Sequence, residues 1–176
     1  MLKGKQSILF DKAPYIMSTG NVVGKKEGEG PLGKQFDFIE EENLFGQDTW
    51  EEAESEMQKQ ACLLALEKAR VPETEVRYIF GGDLLRQGIA TSMGIEELHI
   101  PLFGLYGACS TMAESLLVAS MAVGGGFTDH AIAMTSSHFA SSERQYRFPL
   151  GYGGQRPPTS QWTVTGAGAA LLQLQF

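Results

Sequence analysis

A chain of 176 residues with a formal net charge of −7 and a pI near 5.0 is long enough for one folding unit with a sizeable core and too short for two independent ones. The acidic balance argues against a non-specific grip on nucleic acid or anionic lipid, since both need clustered Lys and Arg; an anionic ligand has to be caught by a local group of cations. No run of about eighteen apolar residues is present to span a membrane, and Met1-Leu2-Lys3-Gly4-Lys5 is not followed by the apolar core of a signal peptide, which predicts a cytoplasmic start.

In chain order, residues 7–10 and 15–17 are short β-like pieces, and the glycine-rich segment 18–33 reads as loop. Within it, Gly28-Glu29-Gly30-Pro31-Leu32-Gly33 matches a dinucleotide-binding pattern as text only, because no convincing strand precedes it, Pro31 stiffens it and Glu29 would face the phosphates. Residues 49–69 give the clearest helix. Trp50, Ala53, Met57, Ala61 and Leu64 recur at helical spacing opposite Glu51, Glu54, Gln58 and Lys59, Thr49 and Glu52 make a capping-box pattern, and Pro72 follows the end. Cys62 lies in mid-helix and Cys109 in a small-residue turn, contexts too different for a disulfide or metal cage; a reducing compartment fits.

Residues 76–80 read as a strand running into Gly81-Gly82-Asp83, followed by a weaker helix over 90–98. A second strand over 100–106, a tight turn at Gly107-Ala108-Cys109, and a helix over 110–123 stopped by Gly124-Gly125-Gly126 repeat the pattern. Strands over 131–135 and 163–174 complete it. Such alternation, with near-continuous apolar strands, predicts an α/β fold with a mostly parallel sheet covered on both faces. From 112 to 123 the only charge is Glu114, so this helix is expected to be buried all round and to need a second layer over it. The sequence stops at Gln173-Leu174-Gln175-Phe176 inside a predicted strand, from which a partner or a missing C-terminal half is expected to cover the rest.

Gly107-Ala108-Cys109-Ser110-Thr111 joins a buried strand to a buried helix, and its small residues permit the sharp turn that lifts a side chain to a sheet edge. At the helix start, free N–H groups and the macrodipole favour a thiolate at Cys109 or hold an anion beside it. Equally, Cys109 fits as a small residue filling a tight space. Residues 136–162 form a long loop in which Arg144, Arg147 and Arg156 are interleaved with Phe139, Tyr146, Phe148, Tyr152 and Trp162, a composition suited to a planar anion. Pairing of these arginines with surface acids is the bland alternative. His138 could serve Cys109 as acid or base, or cap a turn; Asp83 stands where parallel sheets place ligand contacts, or caps the next helix. His99 and His130 are set aside at the opposite sheet edge. Gly153-Gly154-Gln155 also occurs in peptide release factors, but an acidic chain gives an RNA partner no basic surface.

Gly81-Gly82-Asp83-Leu84-Leu85, Gly107-Ala108-Cys109-Ser110-Thr111, Thr135-Ser136-Ser137-His138, Glu143-Arg144-Gln145-Tyr146-Arg147-Phe148-Pro149 and Tyr152-Gly153-Gly154-Gln155-Arg156-Pro157 together resemble the stage V sporulation protein AD family, as does Gly30-Pro31-Leu32-Gly33. The resemblance spans nearly the whole chain. It implies a thiolase-like fold, two βαβα halves stacked as five α-β-α-β-α layers, with residues 1–176 as the N-terminal half and the helix after Cys109 in the central layer. It further implies dipicolinic acid as ligand, with or without calcium and with no other cofactor or metal site. The other implied partners are the membrane subunits of the stage V sporulation A complex, with a homodimer compatible, giving a cytoplasmic or forespore protein held peripherally at the spore inner membrane and used in sporulation and germination. Asp83, Cys109, Ser110, His138, Arg144, Arg147 and Arg156 are the residues expected at the ligand. Thiolase-fold enzymes draw a nucleophilic cysteine from the first half and a proton-handling His or Asn from the second. As written, the chain therefore lacks a complete acyl-transfer site, and Cys109 is catalytic only if the protein is an acyltransferase or condensing enzyme.

Overall fold

The computed structural model describes residues 2–85, 88–146, 157–161 and 163–174. Strands β1 (Leu2–Lys3) and β2 (Ser7–Ile8) make a small exposed hairpin. The remaining strands, β3 (Pro14–Gly24), β4 (Phe38–Glu40), β5 (Tyr78–Gly82), β6 (Leu102–Gly104), β7 (His130–Ser137) and β8 (Gly166–Leu174), form one sheet in the order β4-β3-β8-β7-β5-β6. Neighbours pair in parallel except β8, which runs antiparallel between β3 and β7. The sheet is thus mostly parallel but mixed.

Helices α1 (Lys25–Gly28), α2 (Trp50–Ala69), α3 (Ile89–Glu96), α4 (Thr111–Gly124) and α5 (Phe139–Tyr146) connect the strands. Alternation of side chains along each strand splits the core in two. Ile79, Ile132, Met134 and Leu171 face α2, together with Met57, Ala61 and Cys62. Phe80, Ala131, Ala133 and Leu172 face α4, with Ala119 and Val123.

Segment 18–33 departs from its reading as loop, because residues 18–24 belong to the longest strand of the sheet. The glycine that suggests a loop is what lets the strand sit there. A Cβ on Gly20 would lie 2.1 Å from the Ala61 carbonyl oxygen, so β3 and α2 approach backbone to backbone, and the Ser18 hydroxyl donates to the Ala65 carbonyl at 2.6 Å.

On α2 the predicted start holds: Thr49 Oγ1 accepts from the Glu52 N–H at 3.2 Å. The predicted polar face does not hold, because Glu54 and Gln58 are fully buried. Glu54 is bonded to α5, a helix that occupies residues 139–146 of the stretch predicted as loop, and Gln58 is bonded to Thr91 of α3 and Ser136 of β7.

Helix α4 buries one stripe, Thr111, Ser115, Ala119 and Val123, against the sheet, and turns Leu117 (49% exposed) and Met121 (39%) outward. All-round burial is therefore not reached within this chain. The reason is that no second layer among the described residues lies over an otherwise apolar helix.

Candidate functional site

At the carboxyl ends of β5 and β6 the backbone is packed to its limit. A Cβ on Gly82 would lie 1.9 Å from the Leu105 carbonyl oxygen. Glycine at 82 thus allows the segment after β6 to cross β5, where the Leu105 N–H donates to the Gly81 carbonyl at 2.8 Å. The chain then turns sharply. Ala108 takes a left-handed φ of 49°, unusual for a residue with a Cβ, and a single 3-10 turn, Ala108–Ser110, leads into α4. The turn is held by its own small side chains: Ser110 Oγ donates to the Gly107 carbonyl at 2.8 Å, and Thr111 Oγ1 donates to the Ala108 carbonyl at 2.9 Å. This is the predicted elbow. It presents Cys109 as an exposed thiol at the start of a fourteen-residue helix whose first turn no side chain caps. Cys62, in contrast, is enclosed in α2 with its sulfur 3.3 Å from Met134 Sδ, and burial pushes its thiol up to about 12.

Cys109 borders a cleft of about 480 Å³ on the α4 face of the sheet. Met112, Val23, Phe36, Thr135 and Gly168 contribute to its walls, and a Cβ on Gly168 would meet nothing within 4 Å. Among the described residues lining it there is no Lys, Arg or His.

The remaining predicted site residues that are described lie on the other face, beside α2. Asp83 is buried. Its Oδ1 accepts from the Leu85 N–H, and its Oδ2 accepts from the Thr91 N–H, both at 2.8 Å, and from the Thr91 hydroxyl, so it ties the end of β5 to the first turn of α3. His138 is also fully buried, stacked on Trp50 and Phe139. Its Nε2 is 2.8 Å from the Asn43 carbonyl, its Nδ1 accepts from the Ala140 N–H at 3.2 Å, and burial holds it below the ordinary histidine range against the opposing Asn43 bond. Arg144 pairs with Glu51. Cys109 is thus at the cleft, with Ser110 next to it in the elbow but turned to the Gly107 carbonyl and not part of the cleft wall, while Asp83, His138 and Arg144 are grouped behind the sheet. Arg147 and Arg156 lie outside the described residues.

Sequence reasoning missed the group at the centre of that second cluster. Glu54 Oε1 accepts from Ser136 Oγ at 2.7 Å and its Oε2 from Ser141 Oγ at 3.0 Å. Gln58 Nε2 donates to Ser136 Oγ and, at 3.0 Å, to Thr91 Oγ1, which extends the network to Asp83. Burial, with a further push from the charge of Asp83 and against the Ser136 bond, raises the Glu54 carboxyl to about 7. A signal was present: Glu54, Gln58, Ala61 and Ala65 share one helical stripe, and its last two members are small and apolar.

A half-shell of alternating strands and helices, with a cysteine elbow opening onto a cleft, defines the thiolase-like class of condensing-enzyme folds. The priming β-ketosynthase of the R1128 polyketide pathway matches 98% of this chain and 53% of its own with a TM-score of 0.61 at 17% identity. The 3-oxoacyl-[acyl-carrier-protein] synthase III of Aquifex aeolicus VF5 matches 91% of this chain and 53% of its own (TM-score 0.59, 18% identity), and a variant of Xanthomonas campestris OleA matches 96% and 60% (0.62, 15%). At these identities the likeness is one of fold.

Within that class the chain belongs to the stage V sporulation protein AD (SpoVAD) family, whose family model matches residues 4–175. Stage V sporulation protein AD of Bacillus subtilis (strain 168) is 42% identical over 171 residues, 97% of this chain and 51% of that protein. The chain spans about half the length of this relative. No described helix is long and apolar enough to cross a membrane.

Proposed function

We propose that the chain is the cysteine-bearing half of a subunit that binds dipicolinic acid without turning it over. In this reading it acts with membrane subunits that move the ligand, with or without calcium, during sporulation and germination, and it sits peripherally at the spore inner membrane through them. The second half of such a protein would lie over the apolar outer face of α4. The observation that carries the reading is the cleft at Cys109 in a chain of this family: about 480 Å³, room for one small flat ring, beside the uncapped start of α4. The helix start suits one carboxylate. Because the described walls carry no cation, the charge balance for a dianion falls to Arg147 or Arg156.

Calorimetric titration with dipicolinate tests this. Binding is expected in the intact protein, weakened about tenfold or more by Gly168→Leu, which grows into open cleft space, and by Arg147→Ala. Absence of heat with the intact protein would overturn the reading.

One observation favours a second reading, an acyltransferase or condensing enzyme with Cys109 as nucleophile: the exposed thiol on a left-handed elbow. Incubation with acyl-CoA would then add an acyl mass to the chain at Cys109. An unmodified, folded chain is expected here.

A further inference from the structure

We propose that Glu54 is a proton-dependent latch that holds α5 against α2 and, through α5, sets the shape of the Cys109 cleft. Its consequence for ligand binding rests on the cleft being the ligand site; the latch itself does not.

When Glu54 is a neutral acid every donor of the network from Gln58 to Ser141 finds an acceptor, and only the Gln58 side-chain oxygen is left without a partner. Gln58 Nε2 donates to Ser136 Oγ, and the Ser136 hydroxyl donates to Glu54 Oε1 at 2.7 Å. A proton on Glu54 Oε2 would be donated to Ser141 Oγ at 3.0 Å, and the Ser141 hydroxyl is then free to donate to the His138 carbonyl at 3.2 Å. Every hydrogen in that chain has an acceptor, and it runs from α2 through β7 into the first turn of α5. Loss of the proton to solvent turns the Ser141 hydroxyl back to Glu54. It also leaves two buried carboxyls, Glu54 and Asp83, in one network that holds no basic side chain among the described residues.

Among the described residues, the titratable groups on the surrounding elements supply no cation to the network. Asp83, at the end of β5, raises the cost of a charge on Glu54. The His138 ring, at the end of β7, is turned to Asn43, and burial disfavours its cation. On α5, Glu143 accepts from Thr163 and Arg144 pairs with Glu51 of α2. At the end of α3 Glu96 is exposed, and Glu97, just past it, pairs with Lys59. Tyr15 of β3 and His130 of β7 stand at the opposite edge of the sheet. Burial places the Glu54 titration at about 7, where modest pH changes operate the latch.

Helix α5 in turn braces the cleft at two points. Glu143 Oε1 accepts from Thr163 Oγ1 at 2.8 Å, and Thr163 is part of the cleft wall. The Tyr146 hydroxyl meets the Tyr106 hydroxyl and the Leu84 carbonyl, joining α5 to the segment that leads to Cys109.

Hydrogen exchange at residues 139–146, corrected for intrinsic rates, tests the latch. In the wild-type chain protection is expected to fall about tenfold or more from pH 6 to pH 8.5, while Glu54→Gln, whose amide reproduces the neutral acid, keeps the pH 6 value throughout. A flat wild-type profile, or an equal fall in Glu54→Gln, would overturn the proposal. Should Glu54→Gln fail to fold, a 13C titration of the wild-type glutamate carboxyls decides: one midpoint near 7 is expected, and overturning the latch takes only that all complete their titration by about pH 5.5. These measurements use no ligand, so they fail independently of the dipicolinate reading. Where dipicolinate does bind, affinity in wild type but not in Glu54→Gln should change several-fold across the same interval; equal affinities would remove the link to the cleft.

Discussion

Gly82→Ala is expected to destabilise the chain by at least about 3 kcal/mol and to displace the Cys109 elbow. The added Cβ would stand 1.9 Å from the Leu105 carbonyl oxygen, a backbone atom that no rotamer change can move aside, and 3.2 Å from the Thr111 methyl. Relief requires the segment at Leu105 to lift off β5. That breaks the 2.8 Å bond from the Leu105 N–H to the Gly81 carbonyl, and the strained turn at Ala108 begins three residues later. Urea unfolding measures the loss. Gly104→Ala, on the edge strand β6 with nothing within 4 Å of the new methyl, serves as the control and should stay within about 0.5 kcal/mol. A Gly82→Ala protein as stable as the control would mean that the crossing is looser than described.

The second large effect is on the pH dependence of stability. In the folded chain Glu54 titrates at about 7, raised from 4.5 by burial. Below the unfolded value both states carry the proton and the group contributes nothing. Between the two values the folded state binds more protons than the unfolded one, so stability falls as pH rises, and the whole penalty, about 3 kcal/mol, is present above the folded value. The melting temperature should therefore drop by on the order of 10 °C between pH 5 and pH 8. Glu54→Gln should remove most of that slope and melt higher than the wild type at pH 8. A wild-type slope that survives the substitution would place its origin elsewhere.

Much of the scaffold was legible because its signals are local. The cap at Thr49, the stripe through Met57 and Ala61, the apolar runs of β5 and β7, and the small-residue turn at Cys109 each follow from neighbours a few residues apart. What could not be read depends on distant packing. Segment 18–24 looks like loop because of Gly20 and Gly24, yet Gly20 is the site where the backbone of α2, far along the chain, touches the strand. Glu54 and Gln58 look like a wet face because charge normally marks one, but hydroxyls from β7, α3 and α5 bond the Glu54 carboxyl and the Gln58 amide nitrogen in the interior. Residues 139–146 include good helix formers, Ala140, Glu143, Arg144 and Gln145, but eight residues are too few to announce a helix by periodicity, and they are helical where Ser141 and Glu143 find partners on α2 and at Thr163. The same limit applies to the site. Cys109 and Ser110 could be placed from the elbow, whereas the positions of Asp83 and His138 behind the sheet follow from which face of each strand end they occupy, and that of Arg144 from α5, a helix in the stretch predicted as loop.

A crystal of the chain soaked in dipicolinate tests the cleft most directly. The ring should appear beside Cys109, between the start of α4 and the open strip of β8 at Gly168, with no bond to the sulfur. Dipicolinate bound elsewhere with this cleft empty, or a covalent adduct on the thiol, would contradict the account.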